Sequence, residues 1–100
     1  MKLFRSREVR EALAHAEAGG QALHVHRILT PTAPPPFRRA VEAGGDLAHL
    51  IDHDLERLTA TARQLGLPHL VIGRRGRRGQ HVDLCGRYLE RALAMAEDPA

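Results

Sequence analysis

Apolar positions along this chain change period several times, and each change marks an element. Val9, Ala12, Leu13 and Ala16 recur at helical spacing, with Ser6 suited to cap the helix and Glu8 and Glu11 favourable in its opening turns. Gly19-Gly20 stops this helix, which is expected within residues 1–20. Residues 22–29 are short and rich in aliphatics, so they read as a strand ending at Thr30-Pro31, and the proline-rich loop Pro31 to Pro36 follows. Pro36 suits the first turn of a short helix in which Phe37 and Val41 lie one turn apart before Gly44-Gly45.

Leu47 to Ile51 reads as a second strand. The clearest helix comes next: Asp52 or Asp54 serves as N-cap, Leu55, Leu58, Ala62 and Leu65 share one face, and Gly66 ends it with Pro68 two residues beyond. Leu70 to Ile72 is a third strand, broken by the loop Gly73 to Gly79. His81 to Leu84 is a short fourth strand before a last helix carrying Leu89, Ala92, Leu93 and Ala96. The order α-β-α-β-α-β-β-α predicts an α/β fold with a small, mainly parallel sheet of three to four strands and an antiparallel last strand.

Length is the next constraint. One hundred residues suffice for one domain, 1–100, in which the helix of residues 1–20 is an addition to the core. Alanine accounts for fifteen of the apolar residues, so the core is modest and a homodimer would extend it. The single cysteine, Cys85, forms no intramolecular disulfide, and no apolar run reaches the roughly 20 residues of a membrane span. A cytoplasmic bacterial protein with no membrane partner is the expectation.

A pI near 10.0 suggests nucleic acid, yet the formal charge is only +3. Fourteen arginines against one lysine also fit a GC-rich coding bias, so local clustering is the better guide. From Arg57 through Val82 there are six arginines and no acid. In the expected topology the carboxyl edge of the sheet gathers Thr30 to Thr32, Asp52, His53, Asp54, the arginine loop and His81. Arg74, Arg75, Arg77 and Arg78 offer planar donors for phosphate oxygens, while the amino end of the helix near His53 and Asp54 offers backbone N–H groups. Gly73, Gly76 and Gly79 are read as leaving the loop flexible. Three aromatic residues, none beside the loop, argue that any nucleic-acid contact is mainly to phosphate.

Four of the expected strands open on a histidine followed by an aliphatic residue, at His24, His49, His69 and His81. In a parallel sheet the first three would line the amino ends, away from where ligands bind, and read as strand starters. His24 and His26 share a strand face, as do His81 and Asp83, so both pairs are candidate metal ligands. His81 and Asp83, with Asp52 to Asp54, could also support general acid–base or metal-assisted hydrolysis. A faint echo, Glu17 to Gly20 and Glu42 to Gly45, is followed at equal distance by His24 and His49. Cys85 through Arg91 has the Cys-x5-Arg spacing of phosphatase loops, but Leu89 and Glu90 fill positions where such loops need small residues.

The run His49-Leu50-Ile51-x-His53-Asp54-Leu55-Glu56-x-Leu58, then Ala62-x-x-Leu65-Gly66-Leu67-Pro68, then His81-Val82-Asp83-Leu84 resembles a small bacterial family of unknown function numbered 4031. The likeness covers roughly residues 47–97, with Val82 where that family carries an aromatic residue. It implies interest in His49, His81 and Asp83 without implying a reaction.

The leading expectation is a module that binds a phosphate-bearing ligand or nucleic acid through the arginine-glycine loop and a helix amino end. The alternatives are a small metal-dependent phosphoester hydrolase using His81, Asp83 and Asp52 to Asp54, and a non-catalytic protein-interaction subunit. Whether the chain is an enzyme stays open at this point. No cofactor is expected beyond a divalent metal.

Overall fold

Residues 1–27 and 46–96 are described by a computed structural model, and they build a five-stranded mixed sheet with three helices. In chain order the elements are β1 (Lys2–Phe4), α1 (Val9–Glu17), β2 (Gln21–Arg27), β3 (Asp46–Asp52), α2 (Leu55–Gln64), β4 (Ile72–Gly73), β5 (His81–Cys85) and α3 (Gly86–Met95). The spatial order is β1-β2-β3-β5-β4. The proline-rich loop, the short helix expected after Pro36 and the echo at Glu42 to Gly45 lie outside the described residues.

Strand direction departs from the expected mainly parallel sheet. β1 and β2 are parallel, whereas β2–β3, β3–β5 and β4–β5 are antiparallel. These pairings make β3 and β4 parallel to one another across α2, so a β-α-β relation is present there. The next strand, β5, inserts between them. Alternating elements predict helical crossovers but not which strand fills the gap.

Alternation along the strands assigns the two faces of the sheet. Leu23 and Val25 of β2, Ala48 and Leu50 of β3, and Val82 and Leu84 of β5 pack against Leu58, Ala62 and Leu65 from α2 and its end, and Leu89 and Ala92 of α3. On the other face Phe4, Ala22 and Ile51 pack under Ala12 and Ala16 of α1. The small alanine side chains let α1 sit close. It covers only part of that face, and the histidines occupy what is left.

Local signals explain α2 well. Asp54 is its N-cap and accepts from the Arg57 backbone N–H at 3.1 Å. At the other end Gly66 takes φ +88°, with the Gly66 N–H on the Arg63 carbonyl and the Leu67 N–H on the Ala62 carbonyl, which closes a Schellman turn. The first helix differs from expectation. Lys2–Phe4 forms an edge strand instead, too short for a pattern to declare, and Glu8 rather than Ser6 stands at the N-cap. His69, expected to open a strand, is exposed and lies outside the sheet.

Candidate metal centre

Because strands β2, β3 and β5 run antiparallel in succession, one row of directly opposed residues reads His24, His49, Asp83 across the sheet. Residues two positions along share the face, which adds His26 from β2 and His81 from β5. Neither His24 nor His49 opens its strand; each is in the middle. This overturns the expectation that His24 and His49 lie at one sheet edge and His81 at the other, which rested on parallel strands. His24 and His49, the two histidines of the sequence echo, are cross-strand partners.

The side chains meet in two overlapping groups. The Asp83 carboxylate Oδ1 lies 3.1 Å from His49 Nε2 and 3.5 Å from His81 Nε2. His49, His81 and Asp83 can each offer a ligand atom within 4.8 Å of the other two, and the same holds for His24, His26 and His49. Ring centroids of His49 and His81 are 4.6 Å apart, and those of His26 and His49 5.0 Å.

Backbone carbonyls orient two of the rings, His81 on Gly79 and His24 on Ser6. His81 Nδ1 sits 2.7 Å from the Gly79 carbonyl oxygen, and because a carbonyl only accepts, a proton belongs on Nδ1, and Nε2 is the atom that faces Asp83. This is the arrangement of a ligating histidine held by an outer hydrogen bond. Gly73 makes room for it: a Cβ there would stand 2.5 Å from the His81 ring. Neither outer contact was evident from residue spacing, although a glycine directly before the arginine loop was visible.

Burial pushes the Asp83 carboxyl upward, but the hydrogen bond from His49 and the nearby charges of His49, His81 and His26 outweigh it, and the net shift is below the usual carboxylate value. A depressed folded-state value stabilises the fold above the unfolded value of about 3.9 and loses that contribution as pH falls through the folded value. In metal-free protein, the urea-unfolding advantage over Asp83→Asn is therefore expected to shrink from about pH 6 to about pH 3. A difference that widened on acidification would contradict this balance of effects.

A cleft of about 310 Å³ opens over the cluster, and its lining joins His24, His49 and His81 to Arg74 and Arg78 of the β4–β5 loop. The loop is not slack, contrary to the reading of its glycines as a source of flexibility. Arg74 Nε donates to the Arg78 carbonyl at 2.7 Å, the Gly76 N–H donates to Gln80 Oε1 at 2.8 Å, and the Arg77 N–H closes a turn on the Arg74 carbonyl at 2.9 Å. Gln80, 3% exposed, in turn donates to the Asp52 carbonyl at 2.9 Å. Arg78 pairs with Glu17 at the end of α1, which ties the loop to the helix beside the cleft. Arg75 is exposed, and Arg77 lines a second hollow of about 240 Å³ with His53, Arg78 and Gln80.

Several expected site residues do something else. Asp52 faces the opposite side of the sheet from His49, with its side chain fully buried and its carboxylate bound by Arg57 at 2.6 and 2.8 Å, Gln21 at 3.0 Å and the Asp54 N–H at 2.9 Å. It is committed to holding the chain together and does not join His81 and Asp83. Asp54 places its own carboxylate at the amino end of α2, so that helix end is capped rather than open to an anion. His53 is exposed and separate from the histidine cluster. Burial, with the charge of Asp83 adding to it, raises the Cys85 thiol, and Arg91 donates to the Leu65 carbonyl at 2.8 Å, so neither behaves as part of a phosphatase loop.

No protein-family model, curated protein or solved structure matches this chain. Among the described residues no helix is long and apolar enough to cross a membrane.

Proposed function

We propose that the chain is a metal-dependent phosphoester hydrolase in which His49, His81 and Asp83 hold a divalent transition metal and the arginine loop holds the phosphate. One observation carries this reading: a single cleft is lined both by His49 and His81 of the ligand cluster and by Arg74 and Arg78. The earlier alternatives of phosphate binding and hydrolysis thereby become two parts of one site. The resemblance to the family numbered 4031 singles out the same three residues, His49, His81 and Asp83.

Two imidazoles and a carboxylate form a ligand set typical of catalytic zinc, which would supply an activated water. A divalent ion held by His49, His81 and Asp83 would supply hydroxide near neutral pH for displacement at phosphorus, with the departing oxygen protonated from solvent. Guanidinium groups at the cleft wall neutralise charge gathering on the non-bridging oxygens. The remaining arginines of the loop, Arg75 and Arg77, are also exposed and favour a polyanionic substrate such as a nucleic-acid strand, held mainly by its backbone.

The test uses the full chain loaded with Zn(II), Mn(II) or Co(II), assayed on bis(p-nitrophenyl) phosphate and on single-stranded oligonucleotides. Turnover is expected to vanish with chelator. Arg74→Ala with Arg78→Ala is expected to raise KM at least about tenfold at unchanged metal content, the loss of about one charge-assisted contact. Hydrolysis that ignores the chelator, or a protein that binds none of these ions, would sink the proposal.

A further inference from the structure

His24 is 5% exposed, yet the hydrolytic triad makes no use of it. Its Nε2 contacts the Ser6 carbonyl oxygen at 3.2 Å, and a carbonyl only accepts, so the ring proton belongs on Nε2. The other nitrogen, Nδ1, is then a lone pair, buried and without a hydrogen-bond partner among the described residues. Leaving such an acceptor unsatisfied is destabilising. An outer carbonyl on one nitrogen and an open lone pair on the other is also how a ligating imidazole is prepared.

We infer that the centre takes a second divalent ion, held by His24, His26 and His49, with His49 the ligand common to both ions. This rests on the metal site proposed above. The five side chains form two groups of three sharing His49, rather than one group of five. β3 separates β2 from β5, so the His24–His26 pair and the His81–Asp83 pair approach His49 from opposite sides. Two ions, one over each pair of strands, are then joined through the His49 ring.

Imidazole has two ring nitrogens, which allows His49 to serve both ions; Nε2 already faces Asp83 at 3.1 Å. The ring proton displaced by the second ion leaves to solvent. A tetrahedral site holds its ligand atoms about 3.4 Å from one another, so closing a triad now within 4.8 Å needs small changes in side-chain torsion.

Zn(II) and Co(II) titrations of the full chain, read by calorimetry and by elemental analysis after desalting, test this directly. The expected result is two equivalents per chain for the wild type and one for His24→Ala and for His26→Ala. Should His24→Ala fail to fold, His26→Ala and the wild-type stoichiometry still decide the matter. One equivalent in the wild type, unchanged by His26→Ala, overturns the second ion and leaves the His49–His81–Asp83 site standing. No bound ion in the wild type overturns both.

Discussion

Replacing Asp83 with alanine is expected to cost the protein its metal at the His49–His81 position and its turnover while leaving the fold in place. The side chain is 36% exposed and projects from the middle of β5, so its removal opens no sealed cavity. The β5 backbone keeps its antiparallel pairing to β3, where residue 83 stands opposite His49. Two imidazoles then remain without the carboxylate oxygen that lies 3.1 and 3.5 Å from them. Changing an outer partner of a ligand already costs about 10–100-fold in metal affinity, so loss of a ligand itself is expected to cost at least about 100-fold.

Competition with a chromophoric chelator measures the affinity, and circular dichroism with thermal melting of the metal-free protein checks the fold. Asp83→Asn sharpens the comparison, because it preserves shape and an acceptor for His49 but lacks the charge. His69→Ala, at an exposed position outside the sheet, is the control and should bind metal like the wild type. If Asp83→Ala binds as tightly as His69→Ala, the carboxylate is not a ligand.

Much of this centre was legible as pairs and little of it as a site. His24 with His26 and His81 with Asp83 share strand faces because they are two residues apart, and that survives any strand order. What joins the pairs is the register of β2 against β3 and of β3 against β5, which places His24, His49 and Asp83 in one row. Register depends on contacts between distant segments, so local spacing does not encode it. The parallel arrangement assumed from alternating helices and strands then misplaced His49 and His81 at opposite edges.

Helix α2 illustrates the opposite case. Its cap at Asp54, its buried stripe Leu58, Ala62 and Leu65, and its stop at Gly66 are all set by residues within one or two turns. Local chemistry there is sufficient. The edge strands β1 and β4, of three and two residues, lie at the other extreme, since their pairing rather than their composition makes them strands.

Asp52 was the least legible residue, and it carries the second large expectation. The sequence offers it as a helix cap or an active-site carboxylate, yet its side chain is 0% exposed and its oxygens take four hydrogen bonds, two of them from Arg57. Arg57 also donates to the Gly19 carbonyl at 2.9 Å, so one guanidinium ties the start of α2 to β3 and to the turn after α1. The bond to Asp52 raises the Arg57 value further above its ordinary range, and the charge persists at every accessible pH.

Arg57→Ala is expected to lower unfolding free energy by about 2–3 kcal/mol, because it strands a buried carboxylate without its cation. That is less than the roughly 3–5 kcal/mol of a fully buried pair, since Arg57 retains 43% exposure and its pairing is screened. For a chain of this size the thermal midpoint should fall by roughly 10–20 °C. Asp52→Asn placed in the Arg57→Ala background should recover part of the loss by removing the stranded charge, while keeping one acceptor, for either Gln21 or the Asp54 N–H. Because Asp52 faces away from the histidines, metal affinity measured well below the unfolding transition should change by less than about threefold, within the near-additivity of separate sites. Stability and metal binding that fell together in the folded variant would instead place Asp52 within the centre, against its burial on the other face of the sheet.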